Sequence, residues 1–221
     1  MTPQQPRARD IPVATVSRLP DYLRALATFA ARGTSSLSSD MLAAAAGVRP
    51  TQLRKDLSHL GSHGVRGVGY DVARLTFEIG EVLGLARRYP VVIVGMGNLG
   101  RALAAYSGFS GEGFSVAGLV DRDPALVGES VGGVVVSGMP DLPALVRGLH
   151  GVVGVVATPP ASAQEAVDAL VSAGVDAILN FAPGALTVPD GVVLRRVDLA
   201  TELRVLTYLR EHRVDGVEVA G

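Results

Sequence analysis

Apolar positions in the first third of the chain recur at spacings of three and four residues, whereas from Val91 onward they gather into short Val-rich runs. The change of period predicts helices first and a buried parallel sheet afterwards. In the leading part, Ser17 with Pro20 close behind it opens a helix on which Leu19, Leu23, Leu26 and Ala30 share a face. Ser38 caps a shorter helix that Gly47 stops. After a break of about three residues a third helix covers 51–61, and so tight a joint between two short helices is the geometry of a helix-turn-helix. The glycine-dense stretch 61–69 is unsuited to helix and reads as a tight hairpin or wing, after which Asp71 caps a fourth helix running to about Leu85.

The later apolar runs, at 91–94, 114–120, 131–136, 152–157, 177–180 and 192–197, alternate with helical stretches such as 141–149 and 162–173. That alternation predicts a Rossmann-type doubly wound parallel sheet with helices on both faces. One more amphipathic helix, over 199–212, carries Leu203, Val205, Leu206 and Leu209. The expected organisation is α/β with two domains. A loose tail at 1–16 precedes a winged-helix domain at 17–85, and a Rossmann domain at 86–198 leads into a C-terminal helix and tail at 199–221.

Composition narrows the functional classes. At 221 residues and 48% hydrophobic the chain has enough apolar material for two cores. No run of about 20 apolar residues and no apolar leader stand out, so a cytoplasmic protein with no membrane partner is expected. The absence of cysteine removes disulfides, thiolate metal ligands and thiol redox sensing together, so any redox sense must come from a ligand and no metal site is expected. Net charge is uneven: nine Arg and one Lys face seven acids up to Leu85, a net of +3, and ten Arg face fourteen acids beyond it, a net of -4. A basic small domain beside an acidic larger one hints at a polyanionic partner for the first.

The stretch Gly95-Met-Gly-Asn-Leu-Gly100 follows an apolar strand and opens a helix. Its first glycine suits the tight turn, its second lets backbone approach a pyrophosphate, and its third allows helix to pack on strand, with Asn98 and Leu99 beginning the helix. Asp121, 21 residues after Gly100, ends the second strand. It is placed to accept ribose hydroxyls, favouring NAD over NADP, or else to cap the turn into Asp123-Pro124. Ligands in such sheets lie at the carboxyl ends of strands, which brings in Thr158 and Pro159, and Asn180, Phe181, Ala182 and Pro183, or leaves them as ordinary proline turns. Acid–base equipment for hydride chemistry is missing from this half: the single lysine, Lys55, and His59 and His63 belong to the leading domain, and His150 and His212 sit at helix ends. No catalytic residue is therefore expected.

On the third helix Leu53, Leu57 and Leu60 fall on one face, and Thr51, Arg54, Lys55 and Ser58 form a second stripe pointing away, as a major-groove reader requires, or as any solvated helix face would show. Asp56 adds an unhelpful negative charge to that helix. His63 and Arg66 lie in the glycine-rich loop, where a wing would enter a minor groove.

Taken in order, Arg18-Leu-Pro-Asp-Tyr-Leu-Arg-Ala-Leu26, Leu53-Arg-Lys-Asp-Leu-Ser58, Gly67-Val-Gly-Tyr70, Val92-Ile-Val-Gly-Met-Gly-Asn-Leu-Gly100, Ile178-Leu-Asn-Phe-Ala-Pro183 and Val197-Asp198 resemble the bacterial redox-sensing transcriptional repressors of the Rex family, over about 16–209. The resemblance implies a homodimer that binds a pseudo-palindromic double-stranded operator and releases it when NADH, with NAD+ as the weaker competitor, occupies the Rossmann domains. It also implies that the C-terminal helix is exchanged between subunits. DNA reading then falls on Arg54, Lys55 and Ser58 with the wing from His63 to Arg66. Cofactor binding falls on Gly95, Gly97, Gly100, Asp121, Thr158 and 180–183. A switch falls on Tyr106 and Asp198 beside the nicotinamide, with Arg24 as the alternative partner of Asp198. Two positions depart from the family: His59 stands where many relatives have an aromatic, and Leu199 where some have Phe. The alternative is an NAD-dependent oxidoreductase with an accessory N-terminal domain; a third possibility is a Rossmann unit that holds CoA.

Overall fold

The computed structural model describes residues 11–212 except 63, 66 and 67, so His63 and Arg66 lie outside the described residues. The chain divides into two compact units between Ala86 and Arg87. In the first, α1 (Val13–Ala31), β1 (Ser36–Leu37), α2 (Ser39–Ala45), α3 (Pro50–His59), β2 (Tyr70–Asp71) and α4 (Val72–Leu83) surround one apolar core. Leu19, Tyr22, Leu26, Leu42, Leu53, Leu57, Leu75 and Ile79 are its deepest members. Strands β1 and β2 pair antiparallel, and the loop between α3 and β2 closes on itself through two hydrogen bonds between Val65 and Gly69, each 2.8 Å. That loop is the small wing.

Local chemistry explains most boundaries. Ser38 caps α2 by accepting from the Met41 amide, and Asp71 caps α4 by accepting from the Arg74 amide. α1 differs from the sequence reading. It begins at Val13 after Pro12, Ser17 lies inside it with its hydroxyl donating to the Val13 carbonyl, and Ala30 is exposed. Residues 13–16 therefore belong to the folded unit, and Thr15 is buried in it.

The reason is Asp56. Far from disturbing α3, its carboxylate is turned inward and only 1% exposed. Arg18 holds it with two bonds of 2.7 Å, Tyr22 donates at 2.7 Å, Thr15 at 2.9 Å and Gln52 at 3.0 Å. Thr15, Arg18 and Tyr22 lie on one side of α1, so a single carboxylate ties that helix to the back of α3. Burial alone pushes the Asp56 pKa up, but the bonds from Arg18, Tyr22, Thr15 and Gln52 outweigh it and hold it at about 2.

The second unit contains β3 (Tyr89–Val94), α5 (Asn98–Ala104), α6 (Gly108–Gly111), β4 (Phe114–Asp121), β5 (Ser130–Val131), β6 (Val134–Gly138), α7 (Leu142–Val146), β7 (Val153–Val156), α8 (Pro160–Ser172), β8 (Ala177–Asn180), β9 (Val193–Arg196) and α9 (Leu199–Glu211). The sheet order is β5-β6-β4-β3-β7-β8-β9, parallel except for the edge strand β5. The run expected as one strand at 131–136 is instead a hairpin, because Gly132 and Gly133 both take positive φ and reverse the chain. Along β3, Val92 and Val94 enter a core shared with α7 and α8, while Val91 and Ile93 enter a second core shared with α5. That alternation is why the run is apolar throughout.

The Asp56 cluster generates a prediction. Because the folded pKa lies below the ordinary 3.8, the ionised carboxylate stabilises the fold fully above about pH 4, and that contribution is lost as pH falls toward 2. It amounts to roughly 2 kcal/mol. Asp56→Ala, which strands a partly buried guanidinium and two buried hydroxyls, costs about 3 kcal/mol in urea unfolding at pH 7. Asp56→Asn flattens the acid dependence between pH 4 and 2; an unaltered pH profile in that variant would contradict the assignment.

Candidate functional site

Strands β3 and β7 are neighbours whose connections leave in opposite directions, and ligands of doubly wound sheets bind at that reversal. A pocket of about 400 Å³ opens there, entirely within the second unit. Gly95, Gly97, Asn98 and Leu99 line it from the β3–α5 turn, and Asp121, Arg122 and Met139 from the ends of the strands beyond. Ala157, Thr158, Pro159 and Pro160 follow β7; Ser162, Glu165 and Ala166 come from α8, and Phe181 and Pro183 from the end of β8.

The three glycines have separate structural causes. Gly95 has φ +100°, and a Cβ there would stand 2.9 Å from the backbone of Ala157. At Gly100 a Cβ would fall 1.8 Å from the Gly95 carbonyl oxygen, so only glycine lets α5 approach the turn. Gly97, by contrast, opens on empty space. It precedes α5 without any side-chain cap, which leaves first-turn amides available to a ligand. Asp121 fixes this turn from behind: its Oδ2 accepts from the Met96 amide at 2.6 Å and its Oδ1 from the Asp123 amide at 2.9 Å. The carboxylate thus caps its own turn and also braces the glycine loop.

Thr158 Oγ1 is buried and has no hydrogen-bond partner among the described residues. A pocket-lining hydroxyl in that state calls for a polar ligand atom. With the open cradle at Gly97, it makes the residues present a fit for a dinucleotide.

Other expected positions lie elsewhere. Asn180 is buried, but its side chain closes on Ala182, donating to the carbonyl and accepting from the amide at 2.9 Å each, so it shapes the 180–183 turn rather than lining the pocket. Ala182 is buried behind it. Tyr106 is 59% exposed, packed edge-on against Phe109 after α5, and outside the lining. Asp198 caps α9, accepting from the Ala200 and Thr201 amides and the Thr201 hydroxyl, with Arg196 at 3.4 Å. Those bonds, led by the Thr201 hydroxyl, hold its pKa below the usual carboxylate range. Arg24 is paired with Asp21 on α1.

In the first unit Thr51, Arg54, Lys55 and Ser58 are all exposed on α3, while Leu53 and Leu57 are buried with Asp56 on its back. Arg54 reaches across the joint to the Ser39 hydroxyl at 3.0 Å. Tyr70 lies beneath the wing, its ring close against Gly64. His59 is half-buried at the end of α3.

Residues 10–58 match the family of putative DNA-binding protein N-termini, and 86–184 match the CoA binding domain family. The redox-sensing transcriptional repressor Rex of Streptomyces avermitilis is 54% identical over 214 residues, covering 97% of this chain and 84% of the relative. This chain belongs to the Rex family. Rex of Desulfitobacterium hafniense is 46% identical over 198 residues, covering 90% of this chain and 94% of the relative. Among solved structures, RSP in complex with beta-NAD+ and operator DNA has a TM-score of 0.84 at 35% identity, covering 92% of this chain and 94% of that one. RSP in complex with beta-NADH has a TM-score of 0.81 at 34% identity, covering 92% and 96%. The Rex-family assignment accounts for both surfaces: a helix with an outward cationic stripe and a Rossmann pocket.

The glycine geometry separates binding from folding. Gly97→Ala, with open space and an ordinary φ, keeps wild-type thermal stability but loses NADH affinity by at least roughly tenfold. Gly100→Ala drives a methyl into backbone and costs about 3 kcal/mol of stability. Equal stability of the two variants would contradict these roles.

Proposed function

We propose that this Rex-family chain is a transcriptional repressor that binds a pseudo-palindromic operator as a cytoplasmic homodimer and leaves it when NADH fills the Rossmann pocket, so reporting the NADH/NAD+ ratio. One pairing carries the reading: a pocket with an open phosphate cradle and an unpartnered Thr158 hydroxyl, in the same chain as a recognition helix whose Arg54, Lys55 and Ser58 face solvent. The relatives named for redox sensing, and RSP with operator DNA and with NADH, support it.

Each part of the chain has a task in this account. Arg54 and Lys55 supply cation and hydrogen-bond donors to base edges or phosphates, and Thr51 and Ser58 supply short hydroxyls, with His63 and Arg66 assigned to the wing. Gly97 and the start of α5 take the pyrophosphate, Asp121 holds that loop in register, and Thr158, Pro159, Phe181 and Pro183 line the remainder. NADH brings a neutral dihydropyridine where NAD+ brings a cation, and seating a cation among apolar groups costs more. The charged lining residues are Asp121, Arg122 and Glu165, with no His, Lys or Tyr among them, which favours a bound signal over hydride chemistry. Across 199–206 of α9, Leu199, Leu203 and Leu206 are exposed, and a second copy of the chain is the proposed cover for that stripe. Arg24, Tyr106 and Asp198 remain the proposed switch. Arg24 is an exposed side chain that pairs with Asp21 on its own helix, and Asp198, besides its bonds at the start of α9, pairs with the exposed Arg196; ion pairs with one member in solvent are weak enough to exchange.

Operator and NADH then favour different arrangements of one dimer, and each weakens the other by the same factor. Moving the population from 1:99 to 99:1 takes about 5.5 kcal/mol of differential binding, a modest demand on two cofactor sites. The test is titration of the operator complex with each cofactor. NADH is expected to release DNA at concentrations where NAD+ does not, and equal release by both refutes the sensor. Lys55→Ala is expected to weaken operator binding roughly tenfold and to flatten its salt dependence by about 0.9 in slope for each phosphate that the ammonium neutralises. Steady cofactor turnover with a small carbonyl compound would restore the oxidoreductase alternative, and CoA bound without competition from NADH would follow the CoA-domain likeness instead.

A further inference from the structure

Two separate pieces of chain complete the pocket beyond the glycine loop. α8 contributes Glu165 and Ala166, and the segment leaving β8 contributes Phe181 and Pro183. That segment runs from 181 to 192 without helix or strand. A stretch of this length takes its position from what it touches. Leu186 and Val188 pack against the sheet core, but apolar contact is non-directional and leaves sliding freedom.

Direction comes from Gln164. Its Nε2 donates to the Thr187 carbonyl at 2.9 Å, and its Oε1 accepts from the Thr187 amide at 3.0 Å. A side-chain amide here pairs with a peptide as a neighbouring strand would. The second Nε2 hydrogen goes to Asp168 Oδ1 at 2.8 Å, one turn further along α8, and the Thr187 hydroxyl lies 3.4 Å from Oε1. Only one orientation of the amide works. Turned over, it would set donor against the Thr187 amide and acceptor against both the Thr187 carbonyl and the Asp168 carboxylate.

We propose that Gln164 is a positioning residue for cofactor binding: by pairing with the Thr187 backbone it fixes the segment bearing Phe181 and Pro183 to the helix bearing Glu165 and Ala166, and so sets the pocket before the dinucleotide arrives. Asp168 orients the Gln164 amide. The inference rests on the sensor reading and adds a residue that touches no cofactor yet governs its affinity. Ordering this segment in advance spares that entropy at the moment of binding.

The test uses the full chain and has readouts on both sides of the cofactor. In Gln164→Ala, hydrogen exchange at the Thr187 amide speeds up in the cofactor-free protein. NADH affinity falls roughly tenfold, while operator affinity without cofactor stays at the wild-type value. Asp168→Asn, which keeps an acceptor toward Nε2, stays within roughly twofold of wild type, and Asp168→Ala falls between. Wild-type NADH affinity in Gln164→Ala overturns the proposal, as does unchanged exchange at Thr187. Should Gln164→Ala also lose operator binding through misfolding, Asp168→Ala decides: weaker NADH binding with faster Thr187 exchange supports the role, and undiminished NADH binding overturns it. Failure of the wild-type chain to bind NADH at all would instead remove the sensor reading on which the proposal stands.

Discussion

A carboxylate buried at the back of α3 is the constraint on which the direction of that helix's exposed stripe depends. The outward stripe of α3 is polar and gains nothing from the core, so its direction is set by what lies behind it. Leu53 and Leu57 supply apolar burial, and Asp56 adds direction through its bonds to Thr15, Arg18 and Tyr22. The cost of desolvating the charge is met by a bidentate guanidinium and three further donors, the arrangement in which a buried ion is tolerated. The cofactor pocket repeats the principle at lower burial. Asp121 turns its carboxylate to the Met96 and Asp123 amides, so the glycine loop is held before any ligand is present.

The pocket itself follows from topology. A parallel sheet needs crossover helices, their N-termini collect at one end of the strands, and at the reversal between β3 and β7 two adjacent crossovers part. The close approach of Gly100 to Gly95 brings α5 onto that end, and the open face of Gly97 leaves space beside the first turn of that helix. Binding then needs a lining that is formed in advance. The Thr158 hydroxyl left without a partner and the Gln164 pairing with Thr187 are two signs of preorganisation, one on the wall and one behind it.

Much of this was legible in the sequence because it rests on local rules. The switch from helical to strand period, the Ser38 and Asp71 caps, and the glycine spacing all act through near neighbours in the chain. Features that depend on distant partners were not legible. Asp56 read as a misplaced charge on a DNA-binding helix, since its Arg18 partner is 38 residues away. A cap at Ser17 places the start of α1 five residues late, because Ser17 resembles a cap while the buried role of Thr15 depends on Asp56. One strand was expected where Gly132-Gly133 makes a hairpin, a signal present in the sequence but outweighed by the valines around it. Asn180 read as a ligand contact at a strand end, whereas its side chain closes its own turn. The pairing of Gln164 with Thr187 carries no sequence signal, because the partner there is backbone 23 residues away.

The central claim is that DNA and the reduced dinucleotide compete through the protein rather than for the same surface. Linkage makes that claim quantitative. The direct measurement is the NADH dissociation constant of the chain determined calorimetrically, alone and then saturated with operator duplex. Weaker NADH binding is expected in the presence of DNA, by the same factor per dimer by which saturating NADH weakens the operator complex. Identical NADH affinity in the two conditions would contradict it.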